Sequence, residues 1–249
     1  MTALPGIPLI GRGDDLAGLI LAAAAASGES LRDGDILVIA QKIVSKAEGR
    51  EVALASVSPS AAALRLAATC DKDPRQIELV LAESATVLRA RAGVVIVSLH
   101  NGMVMANAGI DRSNVAGGGD EDCVLLLPSD PDASAAAIHE RLQAATGARL
   151  GVIIADSIGR AWRLGTVGSA IGAAGVVCLA DLRGKPDLFK RPLQTTEVGV
   201  GDELAAAASL LMGQADEGAP VVLIRGAGAA LGDGQAVALV RPKAMDMFL

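Results

Sequence analysis

The amino-acid sequence predicts an α+β fold, with mixed sheets and helices. Three observations carry this. Short apolar runs of strand length are interspersed with Ala-rich helical stretches, but without the strict strand-helix rhythm of a doubly wound sheet. Asn101-Gly102 separates two apolar runs, a strong short-range hairpin signal that makes at least one connection antiparallel. Finally, 249 residues with 51% apolar side chains can bury a sizeable core, as one large domain or two small ones, which excludes disorder.

The elements follow in chain order. Residues 4–13 form a Pro/Gly-rich loop; Asp14 and Asp15 then stand where a helix needs a cap, and Leu16, Leu19 and Ile20 follow at helical spacing. A helix to about Ser27 is expected, its N-terminus facing that loop. Past the turn Arg32-Asp33-Gly34-Asp35, residues 36–40 are a short buried strand that delivers Gln41, Lys42, Ser45 and Lys46 to the next segment. Polar groups at a strand end usually face a crevice. Pro59-Ser60 and Asp73-Pro74 open two helices, 93–99 is a strand, and His100-Asn101-Gly102 turns it onto a return strand at 103–106. The polar, glycine-rich stretch NAGIDRSNVAGGGDED (107–122) reads as a long functional loop before a strand at 123–127. Residues 131–147 are helical and 150–155 a strand, with Asp156-Ser157-Ile158-Gly159-Arg160 leaving its C-terminal end as a second polar cluster. A strand at 175–180, an Ala-rich helix at 201–212, a strand at 220–224 and a last strand at 236–240 complete the chain. No internal repeat and no linker is visible.

Composition removes several function classes. With 28 acidic against 22 basic residues and a net charge of -6, a nucleic-acid backbone is not a partner for the surface as a whole, so phosphate binding must be local. Three aromatics, Trp162, Phe189 and Phe248, are too few for base-stacking platforms. Three widely separated cysteines, Cys70, Cys123 and Cys178, fit a reducing cytoplasm better than a disulfide framework. The opening residues carry no signal-peptide pattern, and the longest uncharged run, 164–180, is broken by glycines, so neither secretion nor a membrane span is expected. Only His100 and His139 are available to a Ser-His-Asp or Cys-His catalyst, and neither has a nucleophile motif beside it; structural roles are preferred for both.

Asp111 and Asp156 each follow an apolar strand or hairpin, and carboxylates there are hard oxygen ligands suited to magnesium or manganese, with Ser157 able to add an oxygen. The alternative is that Asp111 caps a turn with Asn114 and Asp156 caps the loop after its strand. Lys42, Lys46 and Arg50 form one local cation cluster and Arg160 and Arg163 another, either as phosphate or carboxylate anchors or as a solvated face. None of the glycine loops, among them Gly117 to Gly119, matches the standard nucleotide fingerprints. The loop at 212–218 nevertheless carries more polar groups than a simple glycine cap requires.

Four ordered segments, QKIVSKAEGR (41–50), ANAGIDRSN (106–114), ADSIGRAWRLGTVGSAIG (155–172) and DELAAAASLLMGQADEG (202–218), together with the opening GIPLIGRGDDL, closely resemble the F420 gamma-glutamyl ligase family over essentially the whole chain. The resemblance implies a GTP-dependent amide ligase of 1–249. Such a ligase adds L-glutamate to the lactyl carboxylate of coenzyme F420-0 through an acyl phosphate, with the option of further gamma-linked glutamates, and releases GDP and phosphate. It implies an intertwined, two-lobed homodimer, with a lobe division placed near residue 75, and requires two Mg2+ or Mn2+ ions and one K+. Carried over by motif, Asp111 and Asp156 hold one divalent ion, and Ser157 and Gln214 contact the second. GTP falls on Ile7, Pro8, Leu9 and Ile10; on Gln41, Lys42, Lys46 and Asn114; and on Met212, Gly213, Gln214, Ala215, Asp216, Glu217, Gly218 and Ala219. Lys42, Asp111, Asp156 and Arg160 are the expected catalytic set, Arg160 and Arg163 anchoring the acidic substrate. No residue suggests itself as the base for the amine. Ile158 and Ala161 stand where DSFGRPWR-type members have Phe and Pro, and Gly201 where Ala is usual, changes that touch loop rigidity and substrate fit more than the polar ligands. This motivates a second reading, a dehydro form of F420-0 or another carboxylate as acceptor. A third is a non-catalytic GTP-binding protein. A stand-alone cytoplasmic ligase without flavin is expected.

Overall fold

The structure, a computed structural model, describes residues 1–115 and 122–246. The glycine run Gly117 to Gly119 and the aromatic Phe248 lie outside the described residues. In chain order the elements are β1 (Thr2–Ala3), α1 (Leu16–Ala26), β2 (Ile36–Ala40), α2 (Gln41–Ala47), β3 (Glu51–Ala53), α3 (Ala61–Cys70), α4 (Pro74–Ala82), β4 (Ser84–Arg91), β5 (Val94–Leu99) and β6 (Val104–Ala106). They continue with β7 (Cys123–Leu125), α5 (Pro131–Thr146), β8 (Gly151–Gly159), β9 (Thr166–Ala174), β10 (Ala180–Asp181), β11 (Glu197–Val198), α6 (Val200–Met212) and β12 (Val221–Ile224).

The fold is α+β, built on a five-stranded mixed sheet in the order β1-β12-β2-β8-β9, accompanied by the smaller sheets β4-β5-β6, β3-β7 and β10-β11. In the main sheet β2 and β8 are parallel, and the other neighbours are antiparallel. Both faces are covered, which is why β2 reads as a continuous apolar run and not an alternating one. Leu37 and Ile39 point into one core with Leu16 and Ile20 of α1 and Ile138 and Leu142 of α5. Ile36 and Val38 point into the other, where Ala205 and Ala208 of α6 close the layer.

The direction of these strands sets up the site. β1, β2 and β8 run the same way and β12 runs against them, so the chain leaving β1, the chain leaving β2 and the chain entering β12 share one edge. The ladder is continuous there: Leu4 N–H donates to Val221 O at 2.9 Å and Ala40 N–H to Pro220 O at 2.8 Å, while Ala40 is in register with Ala155 of β8.

Local chemistry explains most boundaries. Asp15 caps α1 by accepting from Gly18 N–H at 3.0 Å, and Asp73 and Asp130 cap α4 and α5 with Pro74 and Pro131 in first position. The hairpin at 100–102 forms as expected, with Gly102 taking the left-handed conformation at φ 88° and Gly102 N–H closing on Leu99 O at 3.0 Å.

Three strand expectations are corrected, and one strand was not expected. The strand expected at 123–127 ends at Leu125. No strand occupies 175–180; the long strand is β9, just before it, and Ala180 enters only the two-residue β10. Residues 236–239 are a 3-10 turn and not a strand, because the Ala236 and Val237 N–H groups donate to the Asp132 carboxylate, at 2.8 and 3.2 Å, instead of to a sheet neighbour. β4, which no sequence pattern announced, is an edge strand with most of its side chains exposed.

Glycines at two points of β9 let helices approach the sheet backbone. A Cβ on Gly168 would fall 2.4 Å from Ala205 O of α6, and one on Gly172 would fall 2.2 Å from Pro131 O at the start of α5. Because these obstacles are backbone atoms, Gly168→Ala is expected to push α6 outward and cost about 1–3 kcal/mol. A fall in the urea midpoint with an unchanged m-value checks this; an unaltered midpoint would contradict the close helix approach.

Candidate active site

Four segments distant in sequence converge at the shared sheet edge. α2 starts directly at the end of β2 and carries Lys42 and Lys46. Alongside it, β8 continues past Ala155 into Asp156 and Ser157, still paired with Ser169 and Gly168 of β9. The loop between α6 and β12 brings Gln214 and Ala215. Asp111 arrives from a different sheet: it bridges Leu125 of β7, with reciprocal N–H to O contacts of 3.0 and 2.8 Å, and β7 pairs with β3, which follows α2 in the chain.

Polar contacts knit these segments together. Lys42 Nζ lies 2.8 Å from Asp111 Oδ2, and donates to Ser113 Oγ at 2.7 Å and to Ser113 O at 3.3 Å. Ser113 N–H donates to Asp111 Oδ1 at 2.7 Å, closing a tight turn. One helical turn along α2, Lys46 Nζ donates to Asn114 O at 2.6 Å, and Asn114, itself left-handed at φ 56°, donates through Nδ2 to Ala215 O at 3.2 Å. From the β8 side, Ser157 Oγ donates to Gln214 Oε1 at 2.7 Å. The 214–215 loop is thus held at two consecutive residues by two different elements.

The electrostatics of the two carboxylates differ. Burial works to raise the Asp111 pKa, but the Lys42 ammonium and the Ser113 N–H and side chain outweigh it and hold the carboxyl below its ordinary value. At Asp156 burial dominates and the Asp111 charge adds to it. Against the weaker pull of Ser157 N–H and Lys42, the Asp156 carboxyl is pushed up to about 6. The two carboxylates therefore oppose each other's ionisation, and one ammonium acts on both.

Similarity to known proteins decides what this arrangement belongs to. Residues 6–226 match the family model described as F420-0:Gamma-glutamyl ligase. The chain is 48% identical over 250 residues to a protein of Methanothermobacter thermautotrophicus named coenzyme F420:L-glutamate ligase, covering 100% of this chain and 98% of the relative. The chain belongs to the F420-0:gamma-glutamyl ligase family. Proteins of the same name from Methanopyrus kandleri, 46% identical over 95% of this chain and 92% of the relative, and from Archaeoglobus fulgidus, 43% identical over 98% and 93%, agree with this.

Of the residues the ligase-family resemblance singles out, Lys42, Lys46, Asp111 and Asn114 form one connected set with Ala215, and Asp156, Ser157 and Gln214 gather beside it. The opening loop is held next to α2: Gly13 N–H donates to Ala47 O at 2.8 Å, Ile10 is buried, and Leu9 is almost fully exposed at 94%. Gln41 is different, since its side chain is buried and accepts from Ser45 Oγ at 2.9 Å within α2. Glu217 folds back on its own loop, accepting from Ala215 N–H at 2.8 Å, which holds its carboxyl below the ordinary value. Arg50 is turned away from the crevice to Leu127 O and Glu83, both at 2.8 Å, and serves the structure. Arg160 and Arg163 project on the exposed β8–β9 tip, and neither guanidinium is ion-paired among the described residues. His100 and His139 turn to the backbone oxygens of Ala82 and Leu150. Ser113 is the one contact residue that sequence reasoning passed over; its place two residues after Asp111, where an Asx turn presents it, was the available signal.

Proposed function

We propose that this chain catalyses GTP-dependent formation of an amide bond between L-glutamate and the lactyl carboxylate of coenzyme F420-0. The observation that carries the reading is the convergence of Asp111, Asp156, Lys42 and Lys46 at one sheet edge, in a chain that spans nearly the whole length of relatives named coenzyme F420:L-glutamate ligase.

The donor set fits hard divalent ions. Asp111 and Asp156 offer carboxylate oxygens whose charges oppose each other, and Ser157 and Gln214 offer neutral oxygens already in mutual contact. Among the described residues no three His, Cys, Asp or Glu side chains gather as a closed cage, which suits magnesium or manganese completed by phosphate and water better than structural zinc. Two Mg2+ or Mn2+ ions held by these four residues would supply charge neutralisation on the phosphates. K+ is the third ion to test, by replacing it with sodium.

In this reading a carboxylate oxygen of F420-0 attacks the γ-phosphorus in line, the bond to the GDP oxygen breaks, and an acyl phosphate forms. The glutamate amine then attacks the acyl carbon and expels phosphate, its proton passing to that phosphate or to water. Lys42 and Lys46 supply fixed positive charge where the triphosphate must be held, and Arg160 and Arg163 anchor the acidic acceptor. In the free protein Lys42 is already satisfied by Asp111 and Ser113, so nucleotide binding exchanges one of its partners. Trp162, Leu164, Leu188 and Phe189, exposed on two projecting hairpins, support a homodimer.

Mass spectrometry of F420-0 incubated with the purified protein, L-glutamate, GTP and Mg2+ or Mn2+ tests the reading. A gain of one or more glutamyl units that requires GTP and not ATP is expected. Gain only on a dehydro-F420-0 acceptor run in parallel would move the assignment to that substrate, consistent with the altered Ile158 and Ala161 tip. No gain on either acceptor, by folded protein that still binds GTP, would instead favour a nucleotide-binding role.

A further inference from the structure

We infer that the Ser113 hydroxyl is a positioning group that keeps the Lys42 ammonium shared between Asp111 and Ser113, at the two ends of the 111–113 turn. The inference rests on the proposed nucleotide and metal site. A lysine ammonium has three protons and a flexible stem, and it becomes a defined charge only where acceptors fix all three directions. Here the acceptors are Asp111 Oδ2, Ser113 Oγ and Ser113 O, so two of the three belong to one serine. The turn itself does not need the hydroxyl: Ser113 closes it with its backbone N–H on Asp111 Oδ1, and its carbonyl reaches Lys42 independently of the side chain. Ser113→Ala therefore deletes only what the hydroxyl makes, its contact with Lys42 and its hydrogen bond to the Asp111 carboxyl, and leaves the local backbone its bonds. Without the hydroxyl, Lys42 keeps only Asp111 and the longer contact to Ser113 O, so it shifts toward Asp111, the carboxylate proposed for a divalent ion, and is misplaced for phosphate.

Three proteins, wild type, Ser113→Ala and Ser113→Thr, are compared by titration with MnCl2 alone, followed by loss of the free-ion electron paramagnetic resonance signal, and by calorimetric titration with GTP. In turnover assays KM is measured separately for GTP and for glutamate. Ser113→Ala is expected to weaken Mn2+ and GTP binding roughly 10-fold each, with the glutamate KM and the melting temperature unchanged, and Ser113→Thr to restore both affinities. Wild-type affinities in Ser113→Ala overturn the inference, as do a threonine variant as weak as the alanine one, a glutamate KM that rises in step, or a melting temperature that falls in both variants. Wild-type protein that binds neither Mn2+ nor GTP would sink the site reading itself, which separates that failure from a failure of the serine.

Discussion

Asp156→Asn is expected to abolish ligation, by at least roughly 10³-fold in kcat, while the protein folds normally. The substitution keeps the volume and removes the charge of a carboxylate proposed to hold a divalent ion. It also carries a stability signature opposite to that of a structural residue. In the metal-free protein, burial beside Asp111 raises the Asp156 pKa from its ordinary value of 3.8 to about 6, so the folded state binds more protons than the unfolded state across that interval. Stability contributed through this group is then present at low pH and lost as pH rises through about 6, the direction required when a folded-state pKa is raised. Asparagine has no charge to bury. With a chelator present, Asp156→Asn should be more stable than wild type at pH 7, by on the order of 1–3 kcal/mol, and the difference should shrink toward pH 4. Denaturant unfolding at the two pH values, beside a single-turnover assay, checks both halves. Near-normal turnover would remove Asp156 from the metal site, and a destabilised variant at pH 7 would mean its amide disrupts a contact that the carboxylate makes.

Lys42→Ala is the second large effect. The ammonium is bonded to Asp111 and acts on Asp156 as well, so its loss leaves two opposed carboxylates without their shared counter-charge and strips one cation from the place proposed for the triphosphate. Charge-assisted hydrogen bonds of this kind contribute about 1.5–3 kcal/mol, which corresponds to a rise in the GTP KM of roughly one to two orders of magnitude. The KM for F420-0 should move much less; equal effects on nucleotide and acceptor would count against a phosphate role. Lys42→Arg should rescue poorly, because a planar guanidinium does not fit three acceptors arranged around a compact point charge within one turn.

Much of this site was legible residue by residue. The run at 36–40 followed by Gln41 and Lys42, and Asp156 following an apolar strand, are local patterns, and hard oxygen donors in such places suggest divalent ions whatever the fold. The pairing of Lys42 with Asp111 was not legible, because 69 positions separate them and no periodicity links a helix start to a turn in another sheet. The fate of Arg50 was equally hidden. It stands one turn beyond Lys46, but the chain has by then left α2, and the guanidinium meets Leu127 and Glu83.

The missed and misplaced strands have one kind of cause. Glycine weakens a strand signal, yet β9 needs Gly168 and Gly172 because α6 and α5 press backbone against backbone there, so the requirement that makes β9 work also conceals it. β4 is an exposed edge with bulges, and so carries little apolar alternation. The stretch at 236–239 has strand-like composition, but its N–H groups are taken by Asp132, more than a hundred residues earlier in the chain. The sequence by itself determined what depends on neighbours: helix caps at Asp15, Asp73 and Asp130, the turn at Gly102, the buried run of β2, and the chemical character of each polar cluster. Only the tertiary structure decided which clusters meet. That follows from strand direction, since β1, β2 and β8 run together and β12 runs against them, so their polar termini open onto one edge where opposite charges offset the cost of burying either alone.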